Sequence, residues 1–302
     1  MLWLIVTISS YLILAIVFLI DKYLLMGPIP NPKVYAFYSG VWGLLILLLI
    51  PFVGFSVPQP SQIILSFLAG IFFIYGIFWF YKALQLFEPS RIIPTVGGIL
   101  PLFTAGLVYV FSRGKETLSQ FDFLAFILLI LGSVLITYEK SKKISLKSFQ
   151  VSIIAALLLA FYFVLAKYVY LQQPFWSSYI WIRIGAFFTA LYFLLFSADV
   201  KEEILKKGKI IPKSAGLYFL DQGLGGGANI LQNWAIALAP LVYVAIVNAL
   251  AGTQYVFLLI FTIFLSLKFP QLLKEEISKK ILFQKIIAIL LIGAGLTLLA
   301  FK

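Results

Sequence analysis

The chain has 302 residues, of which 63% are hydrophobic and 11% charged, and its mean hydropathy is +1.07. These values exclude a soluble globular domain and predict an all-α polytopic membrane protein, because a helix satisfies its own backbone hydrogen bonds inside lipid. The formal net charge of +12 comes from Lys and Arg in short connectors, which predicts contact with membrane lipid and not with nucleic acid.

Missing residue types narrow the chemistry further. The chain contains no Cys and no His, which excludes disulfides, thiolate metal sites and His-based catalysis. No glycine-rich loop of the Walker type occurs, so nothing points to ATP-driven pumping. We therefore expect no metal and no cofactor, with coupling to a proton or another ion left open.

Ten apolar segments each approach the length of about 20 residues that a helix needs to cross a bilayer. Short connectors rich in Pro, Gly or Lys separate them, so consecutive helices are expected to be neighbours. The predicted spans are residues 2–20, 34–52, 62–86, 92–111, 121–138, 149–170, 175–196, 214–238, 241–267 and 281–301.

The basic connector 139–147 divides the spans into two sets of five, which predicts two membrane units, 1–140 and 148–302, and no soluble domain. Residues of the first half resemble residues of the second half, and the sequence separation between matching residues increases along the chain. Because five is an odd number, the second unit would be inserted upside down relative to the first. Chance similarity between leucine-rich helices is the alternative. The matching pairs include Gly40 with Gly185, Lys22 with Lys167, Pro89 with Pro240, and Gly132 with Gly295.

The runs YKALQLFEPSRIIPTVGGILPLFTAGLVYVF and ALAPLVYVAIVNALAGTQYVFLLI, each followed by a further apolar span, resemble the second part of an EamA-type repeat of the drug/metabolite transporter superfamily. That resemblance implies ten helices in two inverted five-helix repeats, with a central cavity between the first four helices of each half. It also implies peripheral fifth and tenth helices, often used for homodimer contacts. The chain departs from the family at Tyr38, where Arg is frequent, whereas Arg183 keeps the equivalent Arg in the second half.

The distribution of positive charge predicts an orientation. Of the 23 Lys and Arg residues, 18 lie in connectors on one side of the predicted membrane. The positive-inside rule places that side in the cytoplasm and both termini outside. The family resemblance implies the reverse, so the two arguments disagree.

The span 214–238 carries an ordered row of polar residues. The spacing of these residues places them on one face of a helix. They are Asp221, Gln222, Asn229 and Gln232, with Gly225 on the same face. Unpaired polar groups are costly in hydrocarbon, so this face is predicted to line a watery cavity. Asp221 is interpreted as the only acidic residue deep inside a span.

Arg183 lies inside the seventh span at a depth from which it can reach Asp221. The functional hypothesis is that Asp221 accepts a proton or cation while Arg183 holds an anionic group of the substrate, the two competing for each other. A static ion pair between two helices is the alternative.

Other spans offer further candidates. Gly97 and its neighbouring prolines in the fourth span indicate close helix packing, with carbonyl ligands as the alternative. A glycine run at 225–227 indicates either close helix approach or a hinge. The remaining predicted substrate-binding residues are Asn248, Tyr255, Tyr75 and Trp79.

These features favour a secondary transporter, either an exporter or an exchanger, for a small organic metabolite such as an amino acid, acting by alternating access in the cell (plasma or inner) membrane. It is not expected to be an enzyme. A flippase of the same fold for lipid-linked substrates is one alternative. A membrane-embedded transferase is another; it needs paired acids or a metal cluster, and the sequence indicates only one deep acid.

Overall fold

The computed structural model describes residues 1–26, 31–86, 89–138, 146–207, 212–268 and 279–301. Within these ranges the chain is helical and contains no strand. By length and composition, seven of the described helices are long and apolar enough to cross a membrane. The prediction of an all-α, multi-pass membrane protein is thereby confirmed.

The helices of the first half follow the predicted spans closely. Asn31 and Ser119 cap two of them, each accepting a hydrogen bond from a backbone N–H of the first turn. A 3₁₀ helix, Gly43–Leu49, continues the second helix. The α-helices are α1 (Leu2–Met26), α2 (Pro32–Trp42), α3 (Ile50–Val53), α4 (Pro60–Leu86), α5 (Pro89–Phe111) and α6 (Gln120–Thr137).

The second half is also helical. Pro240 precedes a short 3₁₀ helix, Leu241–Tyr243, as expected for a residue that ends one helix and starts the next. The α-helices are α7 (Leu146–Tyr170), α8 (Phe175–Phe196), α9 (Ala198–Lys201), α10 (Pro212–Leu238), α11 (Val244–Ala249), α12 (Ala251–Lys268) and α13 (Lys279–Ala300). Most of the connector 139–147 and the residues 269–278 lie outside the described residues.

Helices of the two halves interleave. α1 packs against α10 and α12, α4 against α7 and α8, α5 against α7, and α2 against α8. α6 and α13 pack against each other. Elements distant in sequence therefore surround one central space.

Glycines allow α6 and α13 to pack closely against each other. A Cβ on Gly132 of α6 would lie 2.6 Å from Ile292 of α13 and 3.0 Å from the Ala288 carbonyl oxygen. A Cβ on Gly295 of α13 would lie 2.9 Å from Leu129 of α6. Small residues at these two points let the backbones approach, as is common between membrane helices.

Candidate functional site

A cavity of about 260 Å³ lies between α1, α2, α4, α5, α7, α8, α10 and α12. Its walls are mainly apolar, with a few polar side chains in between, which is the usual composition of a site for a small organic molecule. The apolar wall includes Phe73, Phe80, Val96, Leu100 and Phe163.

α10 turns its predicted polar face toward this cavity. Asp221, Gln222, Asn229 and Gln232 all line it, together with Gly225. The residues that share one helical face in the sequence therefore share one side of the cavity wall. A Cβ on Gly226, the next glycine of the run, would meet no atom within 4 Å, so close helix approach does not explain that residue.

The cavity also contains a second acid that the sequence argument missed. Asp21 of α1 is 6% exposed and Asp221 is 1% exposed. The Tyr35 hydroxyl of α2 lies 2.5 Å from Oδ1 of Asp21 and 2.8 Å from Oδ2 of Asp221. We call these three residues the acid end of the cavity. The interpretation of Asp221 as the only deep acid is wrong.

Asp21 was not recognised as a buried acid because the first helix is longer than the span predicted at 2–20. The predicted first span ended at residue 20, so that Asp21 and Lys22 resembled a polar connector. α1 instead continues to Met26, and the apolar stretch long enough to span a membrane is Leu2–Leu25. Tyr35 supplies a hydroxyl partner for the Asp21 carboxyl, which makes its burial tolerable. Tyr35 itself had no signal in the sequence pattern.

Arg183 of α8 lines the same cavity but does not bind Asp221. Its Nη2 donates to the backbone oxygen of Ser39 at 3.2 Å, and its guanidinium carbon lies 4.8 Å from the centre of the Phe73 ring. A Cβ on Gly43 would overlap the guanidinium, so this glycine leaves room for the side chain. Both residues belong to the described part of the chain, and no ion pair joins them.

One atom of each charged group lacks a partner. Nη1 of Arg183 and Oδ1 of Asp221 are buried and make no hydrogen bond. The other carboxylate oxygen of Asp221 accepts from Nε2 of Gln222 at 3.1 Å. Because both side chains line the cavity, these atoms are suited to a polar ligand that carries both an acceptor and a donor.

Farther along α10, tyrosines and amides form a closed network. Asn233 Oδ1 accepts from the hydroxyls of Tyr162 at 2.9 Å and Tyr170 at 2.8 Å. Asn229 Oδ1 accepts from the hydroxyl of Tyr179 at 2.7 Å. These five residues are called the amide end of the cavity, although only Tyr162 and Asn229 among them line it. Asn229 lies eight residues from Asp221 in the sequence, which separates the two ends by about 12 Å along the helix axis.

Tyr255 is a further predicted residue in the cavity wall, and Gln232, already placed there, makes a hydrogen bond across it. Tyr255 of α12 lines it, and a Cβ on Gly97 of α5 would lie 2.7 Å from its hydroxyl oxygen. This contact favours the packing interpretation of Gly97. Gln232 donates to the Tyr11 hydroxyl at 3.3 Å, and that hydroxyl donates to the Val247 carbonyl at 3.0 Å.

The structure does not bring the other three predicted residues into the cavity lining. Asn248 is fully buried and donates to Oγ1 of Thr104 at 2.9 Å. Tyr75 packs edge-on against Phe193 with ring centres 5.2 Å apart. The ring of Trp79 lies under the ammonium group of Lys82, 4.5 Å from Nζ to its centre.

A scan against protein-family models finds no match, and a search of curated proteins finds none either. A solved structure described only as the crystal structure of a protein is similar in fold, with a TM-score of 0.67. The similarity covers 98% of this chain and 97% of the other, at 15% sequence identity. At that identity the likeness concerns the fold alone.

Proposed function

We propose that this protein is a secondary transporter that moves a small organic metabolite across the cell membrane by alternating access. The observation that carries the proposal is the central cavity, where Arg183 and Asp221 each present a buried polar atom without a partner. A solute with both an anionic and a cationic group would complete both hydrogen-bond sets. The surrounding aromatic and aliphatic wall suits a solute with an apolar part.

The proposed mechanism requires two structurally equivalent halves, and the packing supports such a repeat. Gly132 of α6 contacts Ala288 and Ile292, while Gly295 of α13 contacts Ala125 and Leu129. Each residue of one set lies 163 positions from its counterpart in the other, so exchanging the halves leaves the contact unchanged. The packing of α1 on α10 is likewise the exchanged form of the packing of α7 on α4.

We extend this to ten membrane spans in two inverted repeats, 1–140 and 148–302, as in EamA-like transporters. In such an arrangement the halves rock about a site near the middle of the membrane, and the cavity opens to each side in turn. A plasma or inner membrane location and a homodimer are part of the same proposal.

Solute counterflow in proteoliposomes tests the transport activity. Liposomes preloaded with candidate amino acids, nucleosides or sugars should accumulate the labelled external form of one class, and Arg183→Ala should abolish this accumulation. Lys115→Ala, an exposed basic residue of the α5–α6 connector, serves as the control and should transport normally. Equal counterflow by the native protein and by the Arg183→Ala variant would contradict the proposal.

The acid pair also favours a second candidate, a membrane-embedded transferase for a lipid-linked substrate. Two carboxyl groups joined through Tyr35 meet the requirement for paired acids. Within the described residues, however, no group of three or more Asp or Glu side chains is placed to hold a metal ion. Transfer of a labelled group to or from a lipid carrier by the purified protein, abolished in Asp221→Asn, would favour the transferase over the transporter.

A further inference from the structure

The number of hydrogens at the acid end does not match two ionised carboxylates. The Tyr35 hydroxyl has one hydrogen, yet its oxygen lies within hydrogen-bond distance of both Asp21 and Asp221. An ionised carboxylate can only accept a hydrogen bond. Both contacts can be hydrogen bonds only if one of the two carboxyls carries a hydrogen of its own.

The two contacts differ in length. The contact to Asp21, at 2.5 Å, has the length of a hydroxyl donating to a carboxylate, whereas the contact to Asp221, at 2.8 Å, has the length of a bond between neutral groups. Tyr35 can donate its one hydrogen to only one of these carboxyls at full strength, so the other carboxyl is the one that carries a hydrogen.

The sum of the formal charges around the cavity also favours one bound proton on the acid pair. Among the described residues that line the cavity, Asp21, Asp221 and Arg183 are the charged ones. With both acids ionised their formal charges sum to −1, and one bound proton brings the sum to zero, which lowers the cost of burying the group. The other titratable groups around the pair are tyrosines: Tyr81 of α4 and Tyr218 of α10 have ring centres 4.6 Å and 6.3 Å from that of Tyr35.

A pair of acids can act as a binding site only if a ligand or proton can reach it from the cavity. Asp221 is 1% exposed, lines the cavity and keeps Oδ1 without a partner, while Arg183, 5% exposed, keeps Nη1 without one in the same cavity. The acid end is therefore open toward the solute space on one side and closed by Tyr35 on the other.

We propose that Asp21, Tyr35 and Asp221 form a binding site for one proton, which the two carboxyls share in contact with the tyrosine hydroxyl. Loss of this proton leaves the pair doubly negative in the cavity that Arg183 also lines, so the deprotonated acid end attracts a cationic group. Binding of the proton does not depend on the proposed function, but its use as the coupling ion rests on it.

Infrared spectroscopy of the purified protein with carbon-13-labelled aspartate tests the site directly. The sequence contains only four Asp residues, so a protonated aspartate can be assigned by single substitutions. Near neutral pH we expect one protonated-aspartate band, lost on going to alkaline pH. Asp21→Asn and Asp221→Asn should each abolish it, because the remaining carboxyl no longer has a second acid with which to share a proton.

Two control variants define the assignment. Asp199→Asn should leave the band unchanged, because Asp199 is an exposed partner of Lys33 at 3.6 Å. Tyr35→Phe should change the frequency of the band, because the hydroxyl that joins the carboxyls is gone. A native protein without the band, or a band lost in only one of the two Asp→Asn variants, would overturn the shared site. Loss of the band on adding sodium at constant pH would assign the site to a metal cation instead.

Proteoliposomes separate failure of this inference from failure of the proposed function. If the band is present but an imposed pH gradient does not drive uptake, proton coupling is wrong. If counterflow occurs without the band, the transporter proposal holds and the proton site is wrong. If the band is present and no solute is carried, the proton site stands without the transport function.

Discussion

The acid end and the amide end of the cavity both bury polar groups between helices, but they satisfy them differently. At the amide end, Asn229 and Asn233 accept hydrogen bonds from three tyrosines, and none of the buried side-chain atoms of these residues lacks a partner. At the acid end Oδ1 of Asp221 has no partner, and elsewhere in the cavity wall Nη1 of Arg183 has none.

This difference separates stability from function. A satisfied network fixes the packing of α7, α8 and α10, and its loss should be seen as a loss of stability. Buried polar atoms without a partner destabilise the empty protein and gain a partner only when a ligand arrives. Substitutions at the two ends are therefore expected to affect different measurements.

The largest effect is expected for Arg183→Ala. Removing a buried charged partner weakens solute binding by about 2–5 kcal/mol, which is a loss of roughly thirtyfold or more in affinity. The thermal unfolding temperature in detergent should change little, since the guanidinium makes one hydrogen bond, to Ser39. Solute affinity from counterflow and the unfolding temperature should be measured on the same preparation. A variant that unfolds at a lower temperature but binds the solute normally would assign Arg183 to stability alone.

Asn233→Leu should give the opposite result. The hydroxyls of Tyr162 and Tyr170 lose their common acceptor, and each unsatisfied hydroxyl costs about 1–3 kcal/mol of unfolding free energy. Thermal unfolding measures the loss. Ser152→Ala is the matched control, because its buried hydroxyl oxygen makes no hydrogen bond and its removal should cost nothing. Equal unfolding temperatures for the native protein and Asn233→Leu would show that the amide network is not structural.

Gly43→Ala should have a smaller effect on transport than Arg183→Ala. The added Cβ overlaps the guanidinium, so that Arg183 must shift while its charge remains in the cavity. We expect the KM for the solute to rise without loss of maximal rate. Gly106→Ala on α5 provides the control, because a Cβ there meets no atom within 4 Å. An unchanged KM in Gly43→Ala would mean that the position of Arg183 is not critical.

The sequence predicted the helices well and the site in part. Apolar stretches of membrane-spanning length are strong signals, and the span predicted at 175–196 coincides with α8. The α10 face followed from helical spacing, since all its members belong to one helix. Asp21 and Tyr35 come from α1 and α2, and only the packing of three helices brings them to Asp221, which a pattern along one helix cannot predict. Tyr75 and Trp79 share a helix face that packs on other side chains, because spacing identifies a face but not its neighbour.

Single-cysteine labelling tests most directly whether the polar face of α10 borders water. The chain has no native cysteine, so Gln222→Cys on the cavity face and Leu220→Cys on the outer face of the same helix can be compared without background. A thiol reacts through its thiolate, which requires water. A membrane-impermeant reagent should modify Gln222→Cys rapidly and Leu220→Cys hardly at all, and the transported solute should protect the former. Equal reactivity at the two positions, or no reaction at Gln222→Cys from either side of the membrane, would contradict a water-filled passage along α10.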